Sequence, residues 1–238
     1  MQTSNPAWRK FETQEFPSSS EVMSVDGSIN KVFTLLAVTV ASAALVWYMP
    51  GFAALGFIGL IAGFILALII SFKPTTAPYL APVYALCEGL FLGGLTLMLN
   101  ASAPGLPFKA AVGTFGVLAV MLFIYRSGVI KVTDRFRIIM VSAIGGIAIV
   151  YLVSMVMGFF GKAIPLIHGS GPVGIIFSLI VCGIAAFSLL LDFDMIEKGS
   201  DMGAPKYMEW YAGFAMLVTL VWLYLEILRL LSKLNSRD

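Results

Sequence analysis

Residues 172–199 read "PVGIIFSLIVCGIAAFSLLLDFDMIEKG". The first twenty of them, residues 172–191, contain no Lys, Arg, Asp or Glu. A helix needs about 20 such residues to cross the hydrocarbon core of a bilayer, which is about 30 Å thick. The stretch therefore predicts a membrane-spanning helix that ends with two acids, Asp192 and Asp194, still inside or beside the apolar run.

The composition of the whole chain indicates a membrane protein. Of its 238 residues, 59% are hydrophobic and 12% are charged, and the mean hydropathy of +0.95 lies far above that of water-soluble domains. Breaks at Pro, Gly and charged clusters divide it into seven apolar segments, at about 31–49, 51–72, 79–101, 109–125, 136–161, 172–196 and 207–231. We predict an all-α integral membrane protein with seven transmembrane helices, and the net charge of +2 gives no reason to expect a nucleic-acid partner.

The N-terminal segment differs from the rest of the chain. Residues 1–30 are polar and lack the apolar core and cleavage site of a secretory signal, so we expect a flexible cytoplasmic tail followed by a transmembrane domain over 31–238. With seven crossings, ten Lys and Arg residues fall on the N-terminal side and five on the other. The positive-inside rule then places the N-terminus in the cytoplasm. The basic C-terminus leaves open an even number of helices with both ends inside.

Acids within the apolar segments are the candidate functional groups, because an ionised carboxylate at mid-membrane costs about 2.5–3.5 kcal/mol. There are five of them: Glu88, Asp192, Asp194, Glu209 and Glu226. Glu88 stands nine residues past Tyr79, about 13 Å into the bilayer, and is the most costly. We expect Asp194 and Glu209 at the cytoplasmic rim in contact with water. Glu226 is placed to pair with Arg229 three residues later.

Helical geometry separates the two aspartates. Residues two apart are turned by about 200° around a helix, so Asp192 and Asp194 cannot share a face. Large apolar residues share the Asp194 side, whereas the Asp192 face carries small and weakly polar ones: Ser188, Ala185, Cys182 and Ser178. We therefore expect Asp192 to face the bundle interior. Glu209 should return near its level, and Glu88 should lie somewhat deeper. Carboxyls within reach of one another titrate as a pair, so this cluster would suit a cation and sense pH.

Other site chemistries are disfavoured. Cys87 and Cys182 both lie in apolar segments, so we expect neither a disulfide nor a metal site. The lone histidine, His168, falls in a loop, and no Ser, Cys or His constellation approaches it in the sequence, so we expect no enzyme, no catalytic residue and no resident cofactor. A retinal-type receptor needs a lysine in the middle of its last helix, whereas Lys206 and Lys233 stand at the ends.

Three segments resemble the Bax inhibitor family of multi-helix membrane proteins, in a bacterial branch. They are "YALCEGLFLGG" at 84–94, "LLLDFDMIEKG" at 189–199 and "GAPKYMEWYAGFAMLVTLVWLYLEILRLLSKL" at 203–234. The resemblance covers most of residues 31–238. It implies a seven-helix bundle with the last helix central, located in the plasma (inner) membrane, and a pH-sensitive calcium leak.

The resemblance also implies site residues. Characterised relatives carry two aspartates joined by a hydrogen bond, with a basic residue nearby. The first aspartate maps onto Asp192 and the basic residue onto Lys73. The second maps onto Thr219, so the standard pair is absent, and Glu88 or Glu209 is expected to supply the missing carboxylate.

The leading hypothesis is a passive cation conduit, most simply for calcium, gated by protonation around Asp192. Its ion pathway would include Glu88, Glu209, Asp194 and Thr219, and its partners would be the lipid bilayer and calcium or other cations. Two alternatives remain open. One is a proton-coupled or small-solute transporter that uses the same acids, and the other is a non-transporting regulator that binds membrane proteins such as proteases.

Overall fold

The computed structural model describes residues 22–160, 169 and 171–236. Seven α-helices account for most of these residues: α1 (Val25–Tyr48), α2 (Leu55–Phe72), α3 (Ala77–Ser102), α4 (Leu106–Arg126), α5 (Asp134–Phe159), α6 (Pro172–Asp201) and α7 (Met208–Asn235). All seven are long and apolar enough to cross a membrane, and the described residues form no β-strand. The prediction of an all-α protein with seven transmembrane helices is confirmed.

The first helix begins earlier than expected. It starts at Val25 rather than near residue 31, because the Ser24 side chain caps it by accepting a hydrogen bond from the Gly27 amide. Just before it, the Met23 amide donates to the carbonyl of Ala204 at 2.7 Å. Residues 22–30, which we expected in the tail, are thus part of the helical bundle. Residues 1–21 and His168 lie outside the described residues.

The last helix is the centre of the bundle. It packs against α1, α3, α4 and α6, and a larger share of it is buried than of any other described helix. The remaining helices are more peripheral, since α2 packs mainly on α3 and α5 mainly on α6. The central last helix implied by the family resemblance is therefore present, and α6 lies directly beside it.

Successive helices alternate in direction. Ring contacts show this for α5 and α6, where Phe136 meets Phe187 and Tyr151 meets Phe177. One end of the bundle therefore collects the start of α1 and the α2–α3, α4–α5 and α6–α7 connections. We call it the basic end after the cations that it carries: Lys31, Lys73, Arg126, Lys131, Arg135, Arg137, Lys198 and Lys206. With seven spans, α1 starts at this end and α7 finishes at the other.

Candidate functional site

Asp192 is buried near the basic end of α6. Its side chain lies among the bundle residues with 9% of the residue exposed, and its Oδ2 atom has no hydrogen-bond partner among the described residues. Among the residues that the structure describes, no other buried side-chain oxygen or nitrogen lacks a hydrogen-bond partner. A buried acceptor without a donor is costly. Asp192 is therefore the acid that keeps a free hydrogen-bond acceptor inside the bundle.

Thr219 of α7 faces this carboxylate. The Thr219 hydroxyl lies within hydrogen-bonding reach of Asp192, although it also has the Ala215 carbonyl as an acceptor at 3.2 Å. A hydroxyl has one hydrogen to donate, so these two acceptors compete for it. The structure thus brings together the two positions that the resemblance paired, with a hydroxyl at the position where the resemblance implies a second carboxyl.

A cavity of about 430 Å³ opens beside Asp192 between α5, α6 and α7. Its polar lining consists of Asp192, Arg137, Lys198 and Tyr211. Tyr211 is near enough to Asp192 to interact with its charge. Most of the other lining residues are apolar side chains or small alanines and glycines. The cavity is large enough for several water molecules, and its polar groups give them hydrogen-bond partners.

Asp194 is not the solvated rim residue that we expected. Only 6% of it is exposed, and it forms ion pairs with Arg137 Nη2 at 2.7 Å and Lys198 Nζ at 2.9 Å. Two partners make the burial of this carboxylate tolerable. As helical geometry predicted, Asp194 lies on a different face of α6 from Asp192, and it lines a separate cavity between α1, α4 and α6.

Glu209 lies at the level of the basic end, but its partners hold it away from Asp192. It is 1% exposed, and its Oε1 accepts hydrogen bonds from the amide and hydroxyl of Ser24, both at 3.0 Å. Lys206 Nζ approaches the same oxygen at 3.3 Å. Glu209 therefore ties the start of α1 to the start of α7. The expectation that it contacts water at the rim is wrong.

Glu88 also has neighbours other than Asp192. It is buried in α3, within hydrogen-bonding reach of the Tyr84 hydroxyl, and its Oε2 faces the Gly63 backbone of α2. No contact joins it to Asp192. Glu88 and Glu209 thus both have partners other than Asp192, and Thr219 is the residue that faces the Asp192 carboxylate.

The expected basic partner, Lys73, is an exposed residue at the end of α2 and forms no ion pair with any described residue. The cations that line the Asp192 cavity are Arg137 and Lys198 instead. Lys198 stands four residues after Asp194, a spacing that the sequence could have shown. Arg137 had no such signal, because it reaches the site only through the packing of α5 against α6.

A second polar cluster joins α5, α6 and α7 in the other half of the bundle. Glu226 pairs with Arg229 at 3.0 Å, as predicted, and accepts a hydrogen bond from the Tyr151 hydroxyl at 2.8 Å. Lys233 donates to the Ser178 hydroxyl at 2.8 Å and to a carbonyl of α6. These groups satisfy one another, so we interpret the cluster as structural. Within the described residues, no three His, Cys, Asp or Glu side chains are grouped as metal ligands would be.

Comparison with known proteins adds the family. A search of curated proteins and a search of solved structures each gave no match. A model of the family described as Bax inhibitor 1 like matches residues 5–236, nearly the whole chain. The chain therefore belongs to the Bax inhibitor 1 like family.

Proposed function

We propose that the protein is a passive cation conduit of the plasma (inner) membrane, with its N-terminus in the cytoplasm, and that protonation of Asp192 gates it. The observation that supports this most is the unpartnered Oδ2 of Asp192 beside a cavity of about 430 Å³. A buried carboxylate oxygen without a donor is available to a proton or a cation. Family membership favours calcium as the ion.

The groups around Asp192 suit weak, transient binding of a passing cation better than a tight cation-binding site. Tight calcium sites use six to eight oxygen ligands with several carboxylates, whereas this cavity offers one carboxylate, the Tyr211 hydroxyl and the nearby Thr219 hydroxyl. A conduit has to bind its ion weakly enough to release it. One negative charge with few neutral oxygens meets that condition.

The positively charged residues of the cavity wall would determine how easily a cation enters the cavity. Arg137 and Lys198 line the same space as Asp192, and both are paired with Asp194. Asp194 thus offsets part of the positive charge that an entering cation meets. Protonation of Asp192 would remove the negative charge inside the cavity while the two cations remain, so the local field would change with pH.

Calcium flux into proteoliposomes, measured across a range of pH, tests this function. We expect Asp192→Asn to alter the flux and to remove its dependence on pH, because Asn has the same shape and does not titrate. Asp134→Asn is the matched control, since Asp134 is an exposed acid at the same end of the bundle and should change neither property. If Asp192→Asn leaves the flux and its pH dependence unchanged, the proposal is wrong.

The same preparation separates the alternatives. A proton-coupled transporter would show saturable uptake that requires a proton gradient, whereas a leak requires none. A regulator of other membrane proteins would show no flux when reconstituted alone and would co-purify with a partner in detergent.

A further inference from the structure

A groove runs between α1 and α4. Both helices pack against α7, but they make little or no contact with each other. Two cavities of about 610 and 300 Å³ fill the gap, and Leu36 lines both. The α1 residues on the groove recur every three or four positions and so form one face: Ile29, Val32, Leu36, Val40, Ala43 and Trp47. The opposite wall on α4 consists of Ala111, Phe115, Leu118 and Leu122.

The length and lining of the groove match a lipid chain. From Ile29 to Trp47 the α1 face rises about 27 Å, close to the thickness of the hydrocarbon core. Its floor is made by apolar residues of α7 such as Met216 and Leu220. Ile29, Val40 and Trp47 are each more than a third exposed, so the groove is open sideways. A laterally open apolar groove in a membrane-spanning bundle is a place for an acyl chain, since water finds no partners there.

The mouth of the groove at the basic end is positively charged. Arg126 and Lys131 line it, and neither forms an ion pair with a described acid. The two acids on the same wall already have partners, since Asp194 pairs with two cations and Glu197 accepts a hydrogen bond from the Tyr125 hydroxyl. The hydrogen bond from the neutral Tyr125 hydroxyl leaves Glu197 charged, but Arg126 and Lys131 outnumber it, so the mouth carries a net positive charge. Guanidinium and ammonium groups both bind phosphate well.

We propose that this groove binds an anionic phospholipid. Its phosphate contacts Arg126 and Lys131, and an acyl chain lies along Ile29, Val32 and Leu36. Phe193 and Asp194 form part of the wall, so the lipid touches the same turn of α6 that carries Asp192 on its other side. Lipid binding does not depend on whether the chain conducts cations.

Titration of the full-length protein with lipid in detergent, followed by native mass spectrometry, tests the proposal. Phosphatidylglycerol should bind more tightly than phosphatidylcholine. Each cation near an anionic headgroup contributes about fivefold in affinity, so Arg126→Gln with Lys131→Gln should weaken phosphatidylglycerol binding about 30-fold. Arg135→Gln is the matched control, because Arg135 is an exposed cation in the first turn of α5, at the same end of the bundle, and does not line the groove.

A second pair of variants tests the apolar part. Leu122→Trp fills the groove beside Leu36 and should lower phosphatidylglycerol affinity with the mouth charges intact. Leu152→Trp on α5, an exposed position that does not line the groove, should not lower it. The proposal is overturned if neither the double charge variant nor Leu122→Trp lowers affinity, if Arg135→Gln lowers it as much as the double variant, or if inorganic phosphate displaces the lipid.

Discussion

Thr219 of α7 lies opposite Asp192 of α6, with its hydroxyl within hydrogen-bonding reach of the buried carboxylate. This contact joins α7, the central helix, to α6, which carries Asp192 and Asp194 near its basic end. Relatives of the family are expected to have a carboxyl on both sides of it. Here one side is a neutral hydroxyl, so the contact can hold one proton-exchanging group rather than two.

Thr219→Asp should therefore restore a two-carboxyl site. Two carboxyls this close titrate as a coupled pair with two apparent steps, so we expect the curve of calcium flux against pH to change from one step to two. Thr219→Ser keeps the hydroxyl and should retain the wild-type curve. A Thr219→Asp protein that folds normally and reproduces the wild-type curve would contradict this account of the contact.

Asp194→Asn should loosen α5 and reduce calcium flux. The change removes the negative charge between Arg137 and Lys198, which are 29% and 43% exposed. Because water still reaches both cations, we expect the free energy of unfolding in detergent to fall by about 1–2 kcal/mol rather than more. Flux should fall as well, since the wall of the Asp192 cavity then carries two positive charges that Asp194 no longer offsets.

Asp134→Asn again provides the comparison for that variant. Asp134 lies in the first turn of α5, exposed and without an ion pair to a described residue. Its loss should cost a few tenths of a kcal/mol, up to about 1, through the helix dipole. Equal effects of the two substitutions on unfolding and flux would show that the buried pairing of Asp194 has no special role.

Gly89→Ala should separate α1 from α3. A methyl group on Gly89 would lie 1.8 Å from the Ser42 hydroxyl oxygen and 2.2 Å from the Thr39 carbonyl oxygen. Backbone cannot move aside cheaply, so we expect a loss of about 1–3 kcal/mol in thermal or denaturant unfolding. Gly116→Ala on α4 has no atom within 4 Å and should be neutral or slightly stabilising, because alanine is the better helix former. If Gly89→Ala unfolds at the wild-type temperature, the close approach is absent.

The helices could be predicted because each follows from local composition. Charge-free runs such as 172–191 have few alternatives in a membrane, and the small-residue stripe on α6 correctly predicted a buried Asp192. The start of α1 was missed although Ser24 and Asp26 are typical of a helix N-terminus. Because the residues around Ser24 and Asp26 are polar, the region was assigned to the N-terminal tail instead.

The partners of the acids could not be predicted in the same way. Asp194 is buried because Arg137 reaches it from another helix, and Glu209 is buried because Ser24 reaches it across most of the chain. Neither contact can be recognised from a fixed residue spacing in the sequence, because both depend on which helices become neighbours in the folded bundle. Depth along a helix therefore ranked the acids poorly, whereas the side of the helix correctly separated Asp192 from Asp194.

The contact between Ser24 and Glu209 has a consequence for the order in which the protein is made. Ser24 leaves the ribosome near the beginning of synthesis, and Glu209 follows only after six helices have been produced. The six earlier helices are thus made before α7, the central helix against which four of them pack, exists. The bundle can close only once the last span has been translated, so a chain that stops before α7 lacks both its core and the acid that fastens its first helix.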